Sequence, residues 1–160
     1  MILKPKAVMF LATGAHVGRI PFASGTFGSL VGFPFVCLLS IANWPVAMLL
    51  TVVLILFSVW VAHLAEQQLK AKDPGCIVID EIAGMCVTML TIPLSLTTGV
   101  AGFFLFRLFD VIKPPPARQM EKRLKGGWGV VMDDVIAGVM ANIVLQLSLW
   151  LHILQGPVPH

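Results

Sequence analysis

Only eight acidic residues occur in this chain: Glu66, Asp73, Asp80, Glu81, Asp110, Glu121, Asp133 and Asp134. Six of them sit where an uncharged hydrophobic stretch begins or ends. Asp80-Glu81 opens one expected helix, Asp110 closes the next, Asp133-Asp134 opens another, and Asp73 lies just before the first pair. A single Asp at a helix start is an N-cap, worth about 1 kcal/mol with some help from the helix dipole. Adjacent pairs on two helices exceed that role. So does Asp110 at a helix C-terminus, where the dipole disfavours a negative charge. Close carboxylates repel one another, and taking an ion out of water is costly, so the cluster requires a counter-charge. Arg107, Lys113 and Arg118 supply part of it. A hard divalent cation supplies more, and all-oxygen ligation favours Mg²⁺ or Mn²⁺ over zinc. Ala83-Gly84 and Ala137-Gly138, just after the two pairs, would let the helices approach closely, although such residues also serve ordinary helix packing in membranes.

A second group of residues is Ser24-Gly25-Thr26-Phe27-Gly28-Ser29, ahead of the first long apolar run. Glycines free backbone N–H groups and hydroxyls add donors, which is how helix N-termini hold phosphate. The lysine and spacing of a Walker A loop are absent. Taken alone, the segment reads equally well as a helix entry turn. Arg19 upstream, with Lys113 and Arg118, shifts the balance towards an anion. Other residues read as structural: His16 and His63 as interfacial, Glu66 with Lys70 as a surface i,i+4 pair, and Trp128 as an interfacial anchor. Cys37, Cys76 and Cys86 lack metal-ligand spacing and read as small hydrophobes.

The elements that must position these groups are hydrophobic helices. Hydrophobic residues make up 58% of the chain and charged residues 12%, against roughly 25% charged in soluble domains, and the mean hydropathy is +0.91. Three runs carry no Asp, Glu, Lys or Arg: Ile20–Ala65 (46 residues), Ile82–Phe106 (25) and Val135–His160 (26). With about 20 residues per crossing, the first fits two passes, broken near Ile41–Pro45. No cleavable leader is apparent before Arg19.

All eleven basic residues fall in three blocks, Lys4–Arg19, Lys70–Lys72 and Arg107–Lys125, and basic segments stay on the cytoplasmic side. The stretch between Lys72 and Arg107 must therefore enter and return. A re-entrant hairpin turning at Pro93–Gly99, with arms of about 12 residues, does this; each arm is too short to cross. The expected architecture is all-α: a single-domain, small integral membrane helical bundle over residues 1–160. Its five short helices are predicted at 27–42, 44–65, 81–93, 99–112 and 134–154, with 113–128 a surface loop.

Acids, a hard cation, basic residues and a hydroxyl-glycine segment at a bilayer surface point to chemistry on a phosphorylated lipid headgroup. The chain also resembles the phosphatidylglycerophosphatase A family. The resemblance rests on Ser24–Ser29, Ile77–Gly84, Phe106–Pro114 and Gly126–Asp134 with Ala137-Gly138, in order across Arg19–Asn142. One departure is Ser24, where many relatives have Pro before Gly-Thr. The resemblance implies Mg²⁺-dependent removal of the terminal phosphate of phosphatidylglycerophosphate, in a bacterial inner membrane, with a phospholipid rather than a nucleic acid as partner.

No Cys-x5-Arg loop, Asp-x-Asp-x-Thr motif or Ser-Gly-His occurs, which leaves attack by activated water. The expected metal ligands are Asp80, Glu81, Asp133 and Asp134, with Asp73 beside them. Asp80, Asp110 and Asp134 are the expected catalytic acids. Arg19, Thr26, Ser29, Arg107, Lys113 and Arg118 are the expected phosphate-binding residues. A lipid headgroup phosphotransferase of the CDP-alcohol type shares this acidic, helical character, but its Asp-Gly signature is not matched, since Val follows Asp110. A transporter or ion-binding membrane protein would carry its acids near midspan, whereas these sit at helix ends.

Overall fold

A computed structural model of the chain describes residues 3–115, 119 and 124–154; Arg118, Glu121 and the C-terminal tail lie outside them. Among the described residues every regular element is helical. The helices are α1 (Pro5–Ala12), α2 (Ser24–Ser40), α3 (Trp44–Leu69), α4 (Ile79–Met89), α5 (Leu96–Ile112) and α6 (Gly127–Trp150), with a 3-10 turn at Val17–Arg19. α1 was not foreseen. Pro5 starts it, and Val8 and Ala12 are buried in a core with Val61, Ala62, Ala65 and Val131.

α2 to α6 alternate in direction. The heads of α2 and α4, the loop after α3, the tail of α5 and the first turns of α6 meet at one end. The tail of α2, the head of α3 and the tail of α4 meet at the other, around an apolar cavity of about 230 Å³. By length and composition, α3 (26 residues) and α6 (24 residues) could each cross a membrane. α4, with 11 residues, is only about 16 Å long. Leu49, Val53, Phe104 and Leu147 are each more than half exposed, part of an apolar surface far larger than a soluble monomer tolerates.

Two close crossings set the distances. An added Cβ on Gly84 of α4 would come within 2.6 Å of the Phe106 ring and 2.9 Å of the Asp134 carbonyl. One on Gly138 of α6 would come within 2.5 Å of the Gly84 carbonyl. The small-residue approach expected from Ala83-Gly84 and Ala137-Gly138 is therefore physical contact between two backbones. On the other side of α4, Gly28 and Gly32 of α2 lie against Val78 and Met85.

Three boundaries differ from the sequence reading. α2 begins at Ser24 rather than residue 27, so the hydroxyl-glycine segment is the first turns of a helix and not a loop before one. α6 begins at Gly127, so Asp133-Asp134 lies in its second turn and does not open it. Glycines disfavour helix by about 1 kcal/mol each, but Gly127 fits against the Val59 carbonyl of α3, and that packing overrides propensity. The α4–α5 turn falls between Met89 and Leu96, earlier than Pro93–Gly99, and the second arm has 17 residues. Ser95 and Thr98 form a capping box, with Thr98 N–H donating to Ser95 Oγ at 3.1 Å and Ser95 N–H to Thr98 Oγ1 at 2.9 Å. That reciprocal pair starts the helix before Gly99.

The short α4 ends inside the bundle, where its last carbonyls need donors. Asn142 of α6 provides them: Nδ2 donates to the Thr88 carbonyl at 2.9 Å and the Leu90 carbonyl at 2.8 Å. Gln146 Nε2 donates to Thr91 Oγ1 at 3.0 Å, steadying a β-branched residue held at φ 62°, where such residues are rare. Replacing Asn142 with Leu removes both bonds at once. The variant is expected to unfold with about 1–2 kcal/mol less stability, read by denaturant titration of tryptophan fluorescence in detergent.

Candidate active site

The end at which the five helices meet holds an open cavity of about 310 Å³. Asp73, Asp80, Glu81, Asp110, Asp133 and Asp134 line it, and so do Arg107 and Lys113. Among the described residues, six carboxylates against two cations leave four formal negative charges in excess. α4 delivers Asp80 and Glu81 from its first turn, α6 delivers Asp133 and Asp134, and the Gly84–Gly138 crossing brings the two helices together. One carboxylate oxygen from each of Asp80, Glu81 and Asp134 lies within 4.8 Å of the others.

The two cations already have carboxylate partners. Arg107 Nη1 stands 2.5 Å from Asp110 Oδ2, one turn along α5. Lys113 ends α5 in the left-handed conformation, φ 47°, and its Nζ donates to Asp133 Oδ2 at 2.5 Å. Neither ion pair goes to the converging three. Asp80 and Asp134 are buried. Glu81 is half-buried as a residue, but its Oε2 is sealed from solvent with no hydrogen-bond partner. α4 is too short to span a membrane, and the acids at its head titrate abnormally. Burial pushes the Glu81 carboxyl up to about 8; its hydrogen bond with Asp80 lowers it, while the charges of Asp134 and Asp110 raise it further. Burial, followed by the charge of Glu81, also lifts Asp80 well above the usual carboxylate range. Three converging carboxylates, with the buried Glu81 Oε2 lacking a hydrogen-bond partner, fit a hard divalent ion.

The head of α2 forms another wall. Ala23, Ser24 and Gly25 line the cavity, and no side chain caps the helix. The N–H groups of Ser24 and Gly25, being the first of the helix, have no intrahelical acceptor. Ser24 Oγ donates to the Gly75 carbonyl at 2.7 Å, tying α2 to the loop that carries Asp73. A Cβ on Gly25 would overlap Glu81 Oε1 and come within 2.9 Å of Arg107 Nη1. Only a glycine lets the α2 backbone approach this pair.

The remaining expected site residues are placed differently. Thr26 is half-buried and does not line the cavity. Ser29 is fully buried: its hydroxyl donates to the Gly25 carbonyl at 2.8 Å and accepts from Arg107 Nη1 at 3.5 Å. It therefore touches Arg107 rather than the cavity. Arg19 is exposed in a separate groove with Lys6, Phe10 and His16. Arg118 is outside the described residues. Asp73 is exposed at φ 45°, and its N–H donates to Glu66 Oε1 at 2.9 Å. This corrects the expected Glu66–Lys70 surface pair: α3 ends in a left-handed turn at Lys70, and Glu66 reaches past it to the Asp73 backbone. Sequence reading missed Glu66 as a support and Gly25 as the closest backbone approach. The only signal for Gly25 was its place in the hydroxyl-glycine segment.

The fold and site define a helical protein whose polar chemistry is gathered at one end, with carboxylates arranged for a hard cation. The phosphatidylglycerophosphatase A family model matches residues 10–149. The phosphatidylglycerophosphatase A of Escherichia coli K12 is 35% identical over 136 residues, 84% of this chain and 79% of that protein. That of Haemophilus influenzae is 35% identical over 147 residues, 90% of each. A protein of Bacteroides thetaiotaomicron named as a putative phosphatidylinositol-3-phosphatase is 37% identical over 156 residues, 89% of this chain and 93% of that one. No solved structure matches the chain. The chain belongs to the phosphatidylglycerophosphatase A family.

Gly25→Ala tests the α2 wall. The added methyl displaces Glu81 or Arg107 without touching the hydrophobic core. Phosphatase turnover is expected to fall by about 10²-fold, with helix content by circular dichroism and the unfolding midpoint close to those of the parent.

Proposed function

We propose that this chain removes the terminal phosphate from phosphatidylglycerophosphate, giving phosphatidylglycerol and inorganic phosphate, with Mg²⁺ as cofactor. The observation that carries the reading is the convergence of Asp80, Glu81 and Asp134 beside two positioned cations, in a chain of this family. Asp80, Glu81 and Asp134 would hold the ion, with Asp133 and Asp73 on the same cavity wall. A bound divalent ion there would supply charge neutralisation and a more acidic bound water.

The chain's own groups do the rest. Arg107 and Lys113 face the cavity and meet the phosphoryl oxygens as charge develops on them. Asp110 fixes the Arg107 guanidinium through their ion pair and orients the attacking water. Asp133 holds Lys113 in the same way. The free N–H groups at the head of α2 add donors for an anion.

The proposed setting is a bacterial inner membrane, crossed more than once, with this end at the cytoplasmic face. Supporting it are the span lengths of α3 and α6 and the exposed apolar belt. The basic residues Lys70, Lys72, Arg107, Lys113 and Lys125 also flank the acidic end, as retention of positive charge in the cytoplasm requires. The name of the Bacteroides relative favours phosphatidylinositol 3-phosphate as a second lipid to assay.

The test is phosphate release by purified protein on phosphatidylglycerophosphate, with and without Mg²⁺. Chelation should abolish release and added Mg²⁺ should restore it. Asp80→Asn and Asp134→Asn should each lose at least about 10²-fold in turnover while remaining folded in detergent. Near-normal turnover in both variants would sink the ligand assignment. Release of CMP from a CDP-activated lipid would replace the hydrolase with a transferase.

A further inference from the structure

Away from the acidic cavity, α3 and the head of α6 enclose two openings that share one residue. The first, about 350 Å³, is lined by Leu56, Trp60, His63, Lys125 and Trp128 among others. The second, about 330 Å³, has His63 again, with Glu66, Lys70 and Lys72. The helices touch between them: a Cβ on Gly126 would fall 2.6 Å from His63 Nδ1, and one on Gly127 would overlap the Val59 carbonyl. The floor of this groove is thus backbone packed against its neighbour, and its walls are side chains.

Those side chains sort by chemistry. Leu56, Trp60 and Trp128 are apolar and well exposed, with 51%, 36% and 47% of their surfaces accessible. Lys70, Lys72 and Lys125 are exposed, and none is in an ion pair among the described residues. The one acid among the described lining residues, Glu66, has Oε1 engaged by the Asp73 N–H. A groove with an apolar half, two indoles at its boundary and three uncommitted ammonium groups is complementary to a molecule with a hydrocarbon half and an anionic head. Free phosphate would use the lysines and leave the apolar wall idle.

We propose that the α3–α6 groove binds an anionic glycerophospholipid, separately from the substrate cavity. Its chain lies along Leu56 and Trp60, and its phosphate meets Lys125, Lys70 and Lys72. The inference rests on the bilayer setting proposed above. Phosphatidylglycerol, the proposed product, is itself a lipid of this class.

Of the four tryptophans, Trp60 and Trp128 stand in the groove, so changing Trp44 and Trp150 to Phe leaves two local reporters. This protein is reconstituted in phosphatidylcholine vesicles holding a small fraction of brominated phosphatidylglycerol or brominated phosphatidylcholine. Half-maximal quenching should need at least about fivefold less of the anionic lipid. The combined Lys70→Gln, Lys72→Gln, Lys125→Gln variant should lose that preference, and the corresponding three Lys→Arg changes should keep it. Phosphate release by the Gln variant, whose changes lie outside the acidic cavity, reports that it is folded. Equal quenching by both lipids in the parent overturns the groove while leaving the bilayer setting intact. A preference that survives the Gln changes also overturns it. Quenching by neither lipid overturns the groove and the bilayer setting together.

Discussion

Carboxylates at the end of an apolar bundle repel one another, so the site exists only because two helices are held too close to separate. The contact that holds them is the crossing of α4 over α6, with Gly138 against the Gly84 carbonyl and Gly84 against the Phe106 ring. A side chain at either glycine would push the helices apart and scatter the donors that Asp80, Glu81 and Asp134 bring together. The crossing is anchored further along as well. Asn142 binds the end of α4 through two carbonyls, so the short helix is fixed to α6 at its middle and at its C-terminal end. Its first turn is then free to carry charge without the helix sliding.

Charge in the cavity is partitioned rather than balanced. Asp110 and Asp133 are engaged with Arg107 and Lys113, which leaves the converging three to face one another. Burial removes the solvent that would screen them, and Glu81 responds by holding its proton to about pH 8. With four formal negative charges in excess among the described residues, the cavity favours cations over a phosphate ester. The groups proposed to bind an anion, Arg107, Lys113 and the first N–H groups of α2, line the same cavity. The proposed phosphate ester would fit this arrangement once a cation offset the three central acids. A proposal of direct phosphate binding without one would set like charges against each other.

Much of this was legible because charge is so scarce in an apolar chain. When only eight acids occur, and six fall at the edges of uncharged stretches, folding those stretches as alternating helices must bring the acids to one end. Six acids, Arg107 and Lys113 line one cavity for that reason. The details depended on tertiary contacts that no local pattern reports. Gly126-Gly127-Trp128-Gly129 reads as a loop, yet α6 starts at Gly127 because it packs on Val59. Ser29 and Arg19 were grouped with the phosphate site by residue type. A serine hydroxyl in a helix often bonds back to the carbonyl one turn earlier, as Ser29 does to Gly25, and Arg19 lines a separate groove with Lys6 and His16. The i,i+4 spacing of Glu66 and Lys70 suggested a pair, but a helix that ends in a left-handed turn at Lys70 no longer presents them side by side.

Glu66 also links the α3–α6 groove to the acidic cavity. It lines the α3–α6 groove, and its Oε1 accepts the N–H of Asp73, a residue held at positive φ on the wall of the acidic cavity. A non-glycine residue keeps such a conformation only when its surroundings fix it. Here one hydrogen bond from the last turns of α3 does so, reinforced from the other side by Ser24 Oγ on the Gly75 carbonyl. The loop that carries Asp73 is therefore clamped between α3 and the head of α2. A lipid seated against Lys70 and Lys72 would lie beside Glu66, whose carboxylate is one of the ties that hold the loop walling the acids.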